Sequence, residues 1–244
     1  MTQQEEWFST WFDSPYYHIL YSNRDDHDAR LFMDNLLAYL HPKPHHKILD
    51  LACGKGRHSR YLNQLGYDVT GIDLSEKSIA YAREFENERL RFDVHDMREV
   101  YQREAFDFVL NLFTSFGYFQ SETENVVALK AAAADLKHGG KLVIDFMNTD
   151  RTIERLVSHE QKEVQGILFD ISRKVEHDFI LKTIRFEDKG QDYCFEERVR
   201  ALRQENFMEY FRIAQLRVVE IFGDYKLQAF DPEKSERIIF VLKK

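Results

Sequence analysis

Apolar positions along this chain follow two rhythms. Up to Leu40 they recur at helical spacing: Trp7, Trp11 and Phe12, then Leu31, Phe32, Leu36, Leu37 and Leu40. Asp13-Ser14-Pro15 interrupts that run, and Pro42 with Pro44 ends it. From Lys47 to Phe146, compact apolar runs alternate with helical patterns. The runs are residues 48–52, 68–73, 90–92, 106–113 and 141–146, and the helical patterns between them are 58–65, 75–85 and 123–136. Strands separated by helices imply parallel βαβ units, so the predicted fold class is α/β with a doubly wound sheet.

The rhythm changes after about residue 148. A short helical piece (151–157) gives way to three extended stretches, 167–177, 179–187 and 192–202. In the second, Ile180, Ile184 and Phe186 share one parity; in the third, Tyr193, Phe195, Val199 and Ala201 do, with Glu197 breaking the set. Period-two patterning around a Lys189-Gly190 turn predicts an antiparallel meander with one wet face. A helix over 204–214 and strands over 217–222 and 237–242 then rejoin the main sheet. The expected organisation is a helical cap (1–45), a core from 46–150 and 203–244, and a β-insertion (151–202) between the two core segments.

Composition narrows the function. Lys plus Arg is 34 against 42 for Asp plus Glu, a net charge of −8 that disfavours nucleic acid as a partner. No apolar run reaches the ~18–20 residues of a membrane span, and the acidic start MTQQEEWFST does not resemble a secretory signal. Two cysteines, Cys53 and Cys194, make neither a disulfide framework nor a CxxC metal site, so a reduced cytoplasm is the expected location. The histidines are scattered, His45-His46 reads as a solvated turn, and no metal site is expected. With 20 Phe and 12 Tyr, aromatic cores and pockets are expected.

The densest chemistry lies at Ile48-Leu49-Asp50-Leu51-Ala52-Cys53-Gly54-Lys55-Gly56-Arg57-His58, where a strand runs through a glycine loop straight into a helix. Glycines let a ligand approach the backbone, and the helix N-terminus offers N–H groups. The next strand, Val69-Thr70-Gly71-Ile72-Asp73, ends in an acid placed to accept from two ribose hydroxyls. Both features suit a dinucleotide or a nucleoside. Ser59 stands where a G-x-G-x-x-G loop has its third glycine. Asp50, just before the loop, would repel a pyrophosphate by ~1–4 kcal/mol and suits an ammonium group instead. Lys55, Arg57 and His58 offset part of that repulsion, and the balance favours a nucleoside bearing an amino acid.

The segments ILDLACGKGRHS, VTGIDLS, FDVHDMRE, FDFVLNLFTSFGYF and LKHGGKLVIDF, in that order over residues 46–148, resemble the class I S-adenosylmethionine-dependent methyltransferases. The flanks, with the aromatic WFDSPYYHILYSNRDD and the β-insertion, resemble a branch of small bacterial members. Ala52 stands where many relatives have Gly, and His138 where Pro is commoner. The resemblance implies a mostly parallel, seven-stranded Rossmann-like sheet and S-adenosylmethionine as methyl donor. It assigns the methionine end to Asp50 and the backbone of Ala52, Gly54 and Gly56, and the ribose to Asp73. Leu74 and Met97 would flank the adenine, Asp96 would accept from its amino group, and Asn111 and Leu112 would lie beneath the methyl-bearing sulfur.

The acceptor is expected above the carboxyl ends of the strands. Tyr21, Tyr118 and Asn111 are the candidate catalytic residues, with Thr114, Ser115, Phe116, Phe119, Tyr16 and Tyr17 as further lining. His18 and Tyr118 are candidate bases, and Arg24 and Arg98 are weighed as contacts for an anionic acceptor against solvated surface residues. Asn111-Leu112-Phe113-Thr114 is not the Asn/Asp-Pro-Pro-aromatic motif of amide methylation, and no cysteine near that strand end offers covalent C5 chemistry. A cap and an insertion could roof the site, which suits a small-molecule N or O acceptor; the insertion could equally form an interface in a homodimer rather than a monomer. The alternatives are methylation of protein or RNA, a non-catalytic S-adenosylmethionine-binding regulator, and a nicotinamide-dependent oxidoreductase.

Overall fold

The computed structural model describes residues 7–22 and 26–244. Three helices lead in: α1 (Trp7–Phe12), α2 (Pro15–Leu20) and α3 (Asp26–Leu40). Then β1 (Lys47–Leu51), α4 (Arg57–Gln64), β2 (Asp68–Asp73), α5 (Glu76–Arg83), β3 (Leu90–Val94), β4 (Phe106–Asn111), α6 (Glu122–Asp135) and β5 (Leu136–Met147) alternate. After α7 (Thr149–Glu154) come β6 (His159–Val164), β7 (Ile167–Glu176), β8 (Phe179–Asp188) and β9 (Gln191–Arg200). The chain closes with α8 (Gln204–Ile213), β10 (Arg217–Phe222) and β11 (Arg237–Lys243).

The large sheet has seven strands in the order β10-β11-β5-β4-β1-β2-β3, with β11 antiparallel to both of its neighbours and the other pairs parallel. The alternation of side chains along β1 explains its two packed faces. Leu49 and Leu51 point to the layer of α6 and α8, with Val109, Leu129, Phe207 and Phe211, whereas Ile48 points to α3, α4 and α5 with Phe32, Leu62 and Ile79. Local chemistry sets the helix starts. Ser75 accepts from the Ser78 amide, Ser121 and Glu124 form a capping box, and Pro15 opens α2 after Ser14.

The smaller sheet is a four-stranded antiparallel meander, β6-β7-β8-β9, where the sequence predicts three strands. The additional strand, β6, is an edge strand with the sequence HEQKEV, too polar to show a buried face. Its inner surface, including Phe169, Ile171, Ile184 and Phe186, packs with Trp11 and Leu20 of the cap into a third apolar cluster. Glu197 breaks the parity of β9 because its carboxylate points inward too, where the Trp11 indole N–H donates to it at 2.8 Å.

Beyond β4 the chain turns beneath the carboxyl edge of the sheet in an uncommon conformation. Phe113 (φ 58°) and Thr114 (φ 60°) both occupy the left-handed region, at roughly 1–3 kcal/mol each for residues with side chains. Asp145, fully buried in β5, holds them there. Its Oδ2 accepts from the Phe113 amide at 2.8 Å and its backbone oxygen from the Thr114 amide at 3.0 Å. Arg237 of β11 donates from Nε to Asp145 Oδ1 and from Nη2 to Thr114 Oγ1, each at 2.8 Å. Arg237→Met would strand a buried carboxylate, so it is expected to destabilise the protein by about 3–5 kcal/mol, read from the urea midpoint.

Candidate functional site

A cavity of about 420 Å³ opens at the carboxyl ends of β1, β2, β3 and β4, a size suited to a small-molecule ligand. The loop from β1 into α4 supplies Asp50, Ala52, Cys53, Gly54 and Lys55. Asp73 and Leu74 follow β2, and His95, Asp96 and Met97 follow β3. Leu112, Ser115, Phe116, Tyr118 and Phe119 follow β4. The cap closes the remaining side with Phe8, Phe12, Tyr17, His18 and Tyr21.

Gly54 (φ +55°) sits in the glycine loop with open space where a Cβ would be, so its backbone is presented to a ligand. Ala52 (φ 58°) shares that left-handed conformation despite its methyl group. Gly56 works differently: a Cβ there would lie 2.5 Å from the Phe92 ring, so glycine is required for packing, and Gly56 does not line the cavity. Asn111 is also outside the lining. Its amide donates to the carbonyls of Leu51 and Ser115 at 3.3 Å each, and its Oδ1 is buried without a partner among the described residues. Gly56 thus packs its Cα against the core, and Asn111 ties strand ends together behind the wall.

Two carboxylates dominate the electrostatics. Burial pushes Asp50 up to about 7, with the proximity of Asp73 adding to it and the Ser59 hydroxyl, at 2.6 Å, opposing it. Burial also raises Asp73, against amide donors that hold its two oxygens: Gly54 N–H at 2.8 Å and Ser75 N–H at 2.8 Å. Among the described residues neither acid makes an ion pair, so both carboxylates favour a cationic ligand. His18 is lowered to about 4 by burial and by Lys55, which leaves the ring neutral and weakly basic.

Asp96 is engaged otherwise. Burial raises it, but Arg98 outweighs that and holds the carboxyl below its ordinary value. Arg98 Nη2 donates to Asp96 Oδ2 at 2.6 Å, and Nη1 donates to Glu124 at 2.8 Å over the Phe119 ring. Arg98 is thus a clamp on the loop after β3, which corrects both expectations for it, an acceptor contact and a solvated arginine. Tyr118 lines the cavity with its hydroxyl donated to the Thr114 carbonyl, so it is not poised as a base. Thr114 and Tyr16 lie outside the lining, Tyr16 because it donates to Asp188 of the insertion at 2.8 Å. Arg24 lies outside the described residues. Sequence reasoning missed Phe8 and His95 in the wall: Phe8 lies in no motif, and His95 stands within FDVHDMRE beside the acid that drew the assignment.

The sheet order and the carboxylate-lined cavity at the strand tips define an α/β protein of Rossmann-like fold with room for a small-molecule ligand. Residues 48–140 match the family model described as a methyltransferase domain. A Geobacillus sp. (strain WCH70) protein bearing a methyltransferase name is 27% identical over 98% of this chain and 99% of its own length. The dTDP-3-amino-3,4,6-trideoxy-alpha-D-glucopyranose N,N-dimethyltransferase of Streptomyces venezuelae is 32% identical over 40% of this chain, which spans 41% of that relative's length. In structure, the sugar N-methyltransferase KedS8 from Streptoalloteichus sp. superposes with a TM-score of 0.75 at 19% identity, covering 95% of this chain and 93% of its own. Residues 48–140 are thus a methyltransferase domain, and the comparisons together support a class I S-adenosylmethionine-dependent methyltransferase.

The residues present fit that donor: the open face of Gly54 leaves room for it, and two buried acids favour its positive charge. Because Asp50 holds its proton more tightly folded (about 7) than free (3.8), ligand-free stability falls as pH rises between those values. Asp50→Asn lacks that loss. Wild type is therefore expected to melt lower at ~pH 8 than at ~pH 5 by a margin the variant does not show, while the variant binds donor about tenfold more weakly. For Asp73→Ala, calorimetry is expected to show donor binding weakened by ~2–4 kcal/mol; unchanged affinity would remove Asp73 from the ribose site.

Proposed function

We propose that the enzyme transfers the methyl group to an N or O nucleophile of a small molecule, with an amine as the leading class, in a reduced cytoplasm. One observation carries this reading: the cavity is walled by the aromatic side chains of the cap as well as by the strand tips. The enzyme from S. venezuelae and KedS8 are named for amino-sugar and sugar N-methylation, which supports the amine.

In this proposal Asp50 and the Gly54 backbone hold the methionine end, Asp73 the ribose, and Leu74 and Met97 the two sides of the adenine. Asp96 can accept from the adenine amino group only alongside Arg98, which already occupies both of its oxygens. Leu112 supports the reacting end. S-adenosylmethionine supplies a methyl group already activated on a sulfonium, so the chain need only align the acceptor in line with it and exclude water. Aromatic faces of Phe12, Tyr17, Tyr21 and Tyr118 border the cavity and can stabilise the cation by roughly 0.5–2 kcal/mol. The cap and the insertion together act as a roof, in a monomer or a homodimer.

The test is label transfer from methyl-labelled donor to a panel of amines (glycine and amino sugars among them), phenols and carboxylates, with bulk RNA and protein as competitors. Label in a small amine is the expected result, and label confined to macromolecules would overturn it. With the accepted amine, Tyr118→Ala is expected to lower turnover about tenfold while donor affinity stays within about twofold.

A further inference from the structure

The inner face of the insertion carries a pair of charges that the donor site does not use. Lys182 of β8 and Glu197 of β9 are directly opposed across the ladder, with Nζ 3.6 Å from Oε2 and side chains only 13% and 17% exposed. Their surroundings are the aromatic cluster between the cap and the smaller sheet. Withdrawing two charges from water for a pair this loose is poorly compensated by their mutual attraction, and apolar residues would pack the same face.

The pair converges on Tyr21. The Tyr21 hydroxyl donates to Glu197 Oε1 at 2.5 Å, and Lys182 donates to the Tyr21 oxygen with its Nζ 4.6 Å from the ring centroid. The Trp11 indole donates to the same Glu197 oxygen at 2.8 Å, and the Tyr17 ring lies 4.9 Å from that of Tyr21. Tyr21 lines the cavity, whereas Lys182 and Glu197 stand behind it.

We propose that Glu197 and Lys182 are positioning residues that act on the methyl acceptor through Tyr21. Glu197 takes the phenol's hydrogen bond, which directs the O–H away from the cavity and leaves the Tyr21 oxygen as an acceptor that Lys182 shares. Glu197 keeps the phenol neutral, and Lys182 offsets the carboxylate's charge. A wall of this polarity selects a nucleophile that carries its own hydrogen, such as an amine N–H, and turns that nitrogen's lone pair toward the methyl group. The selection of an amine rests on the proposed function; the coupling of the pair to Tyr21 does not.

Tyrosine labelled at ¹³Cζ reports phenol ionisation directly, with the Tyr21 resonance assigned by Tyr21→Phe. Opposite charges at this range shift a neighbour's titration by about one pH unit or more, so Glu197→Gln is expected to lower the Tyr21 midpoint by that much and Lys182→Met to raise it. The double variant, which removes both charges together, is expected to return within about half a unit of wild type. S-adenosylhomocysteine affinity is expected to stay within about twofold in all three, which separates positioning from loss of fold. With the amine identified above, Glu197→Gln is expected to lower kcat about tenfold at unchanged donor KM, with partial rescue by Glu197→Asp. A Tyr21 titration that ignores both single variants overturns the proposal, as does unchanged kcat with that amine. If no amine is methylated, the proposed function fails and the titration alone decides this inference.

Discussion

Asp145 is the interaction on which the cavity depends. β4 ends under the carboxyl edge of the sheet, and the next residues must turn at once to leave room above the strands. Phe113 and Thr114 do so in left-handed backbone that neither residue type favours. A carboxylate with no exposed surface supplies the acceptor for one of their amides, and Arg237 from the antiparallel β11 supplies the counter-charge. The antiparallel strand is therefore more than an edge to the sheet. It carries the guanidinium that keeps the cavity floor in place, and the Phe113 ring so positioned stacks on His58 at 4.5 Å.

On that floor, the donor half of the cavity is built around unmet charge. Asp50 and Asp73 are buried at adjacent strand tips, and burial raises both. In a structure serving only its own stability such acids would be paired or replaced. Here the backbone amides of Gly54 and Ser75 hold Asp73, and the hydroxyl and backbone amide of Ser59 hold Asp50. In the proposed reading, that unfavourable field becomes favourable when a sulfonium with an ammonium group enters. The same two acids make the site inhospitable to a pyrophosphate, which is the physical reason a glycine loop of this kind serves a nucleoside here.

Much of this was legible before any coordinates. Strict alternation of apolar runs and helical patterns located the strands of the large sheet, because each strand is buried on both faces and each helix on one. The glycine loop and the acid at the tip of β2 were legible because their chemistry is local. What was not legible depends on contacts distant in sequence. β6 has almost no apolar face and exists by pairing with β7. Gly56 looked like part of a ligand cradle until the Phe92 ring was found against it. Arg98 looked solvated until Asp96 and Glu124 closed on it. Asp145 did leave a trace, as an acid set within the apolar residues of β5, and Glu197 left another by breaking the parity of β9.

The two halves of the cavity differ in how far resemblance can speak for them. The donor half comes from the strand tips between Asp50 and Phe119, nearly all inside the matched methyltransferase segment at residues 48–140. The acceptor half is closed by α1 and α2, which precede that segment, and those helices are held by β9, which follows it. Neither the cap nor the meander could bury its aromatic face alone, since Trp11 and Leu20 complete the cluster whose other members include Phe169, Ile184 and Phe186. The shape of that end of the cavity is thus a product of two segments packing on each other rather than of the loop sequence between them. The cap side chains of that end can therefore vary without disturbing the strand tips, because they are positioned from outside the large sheet.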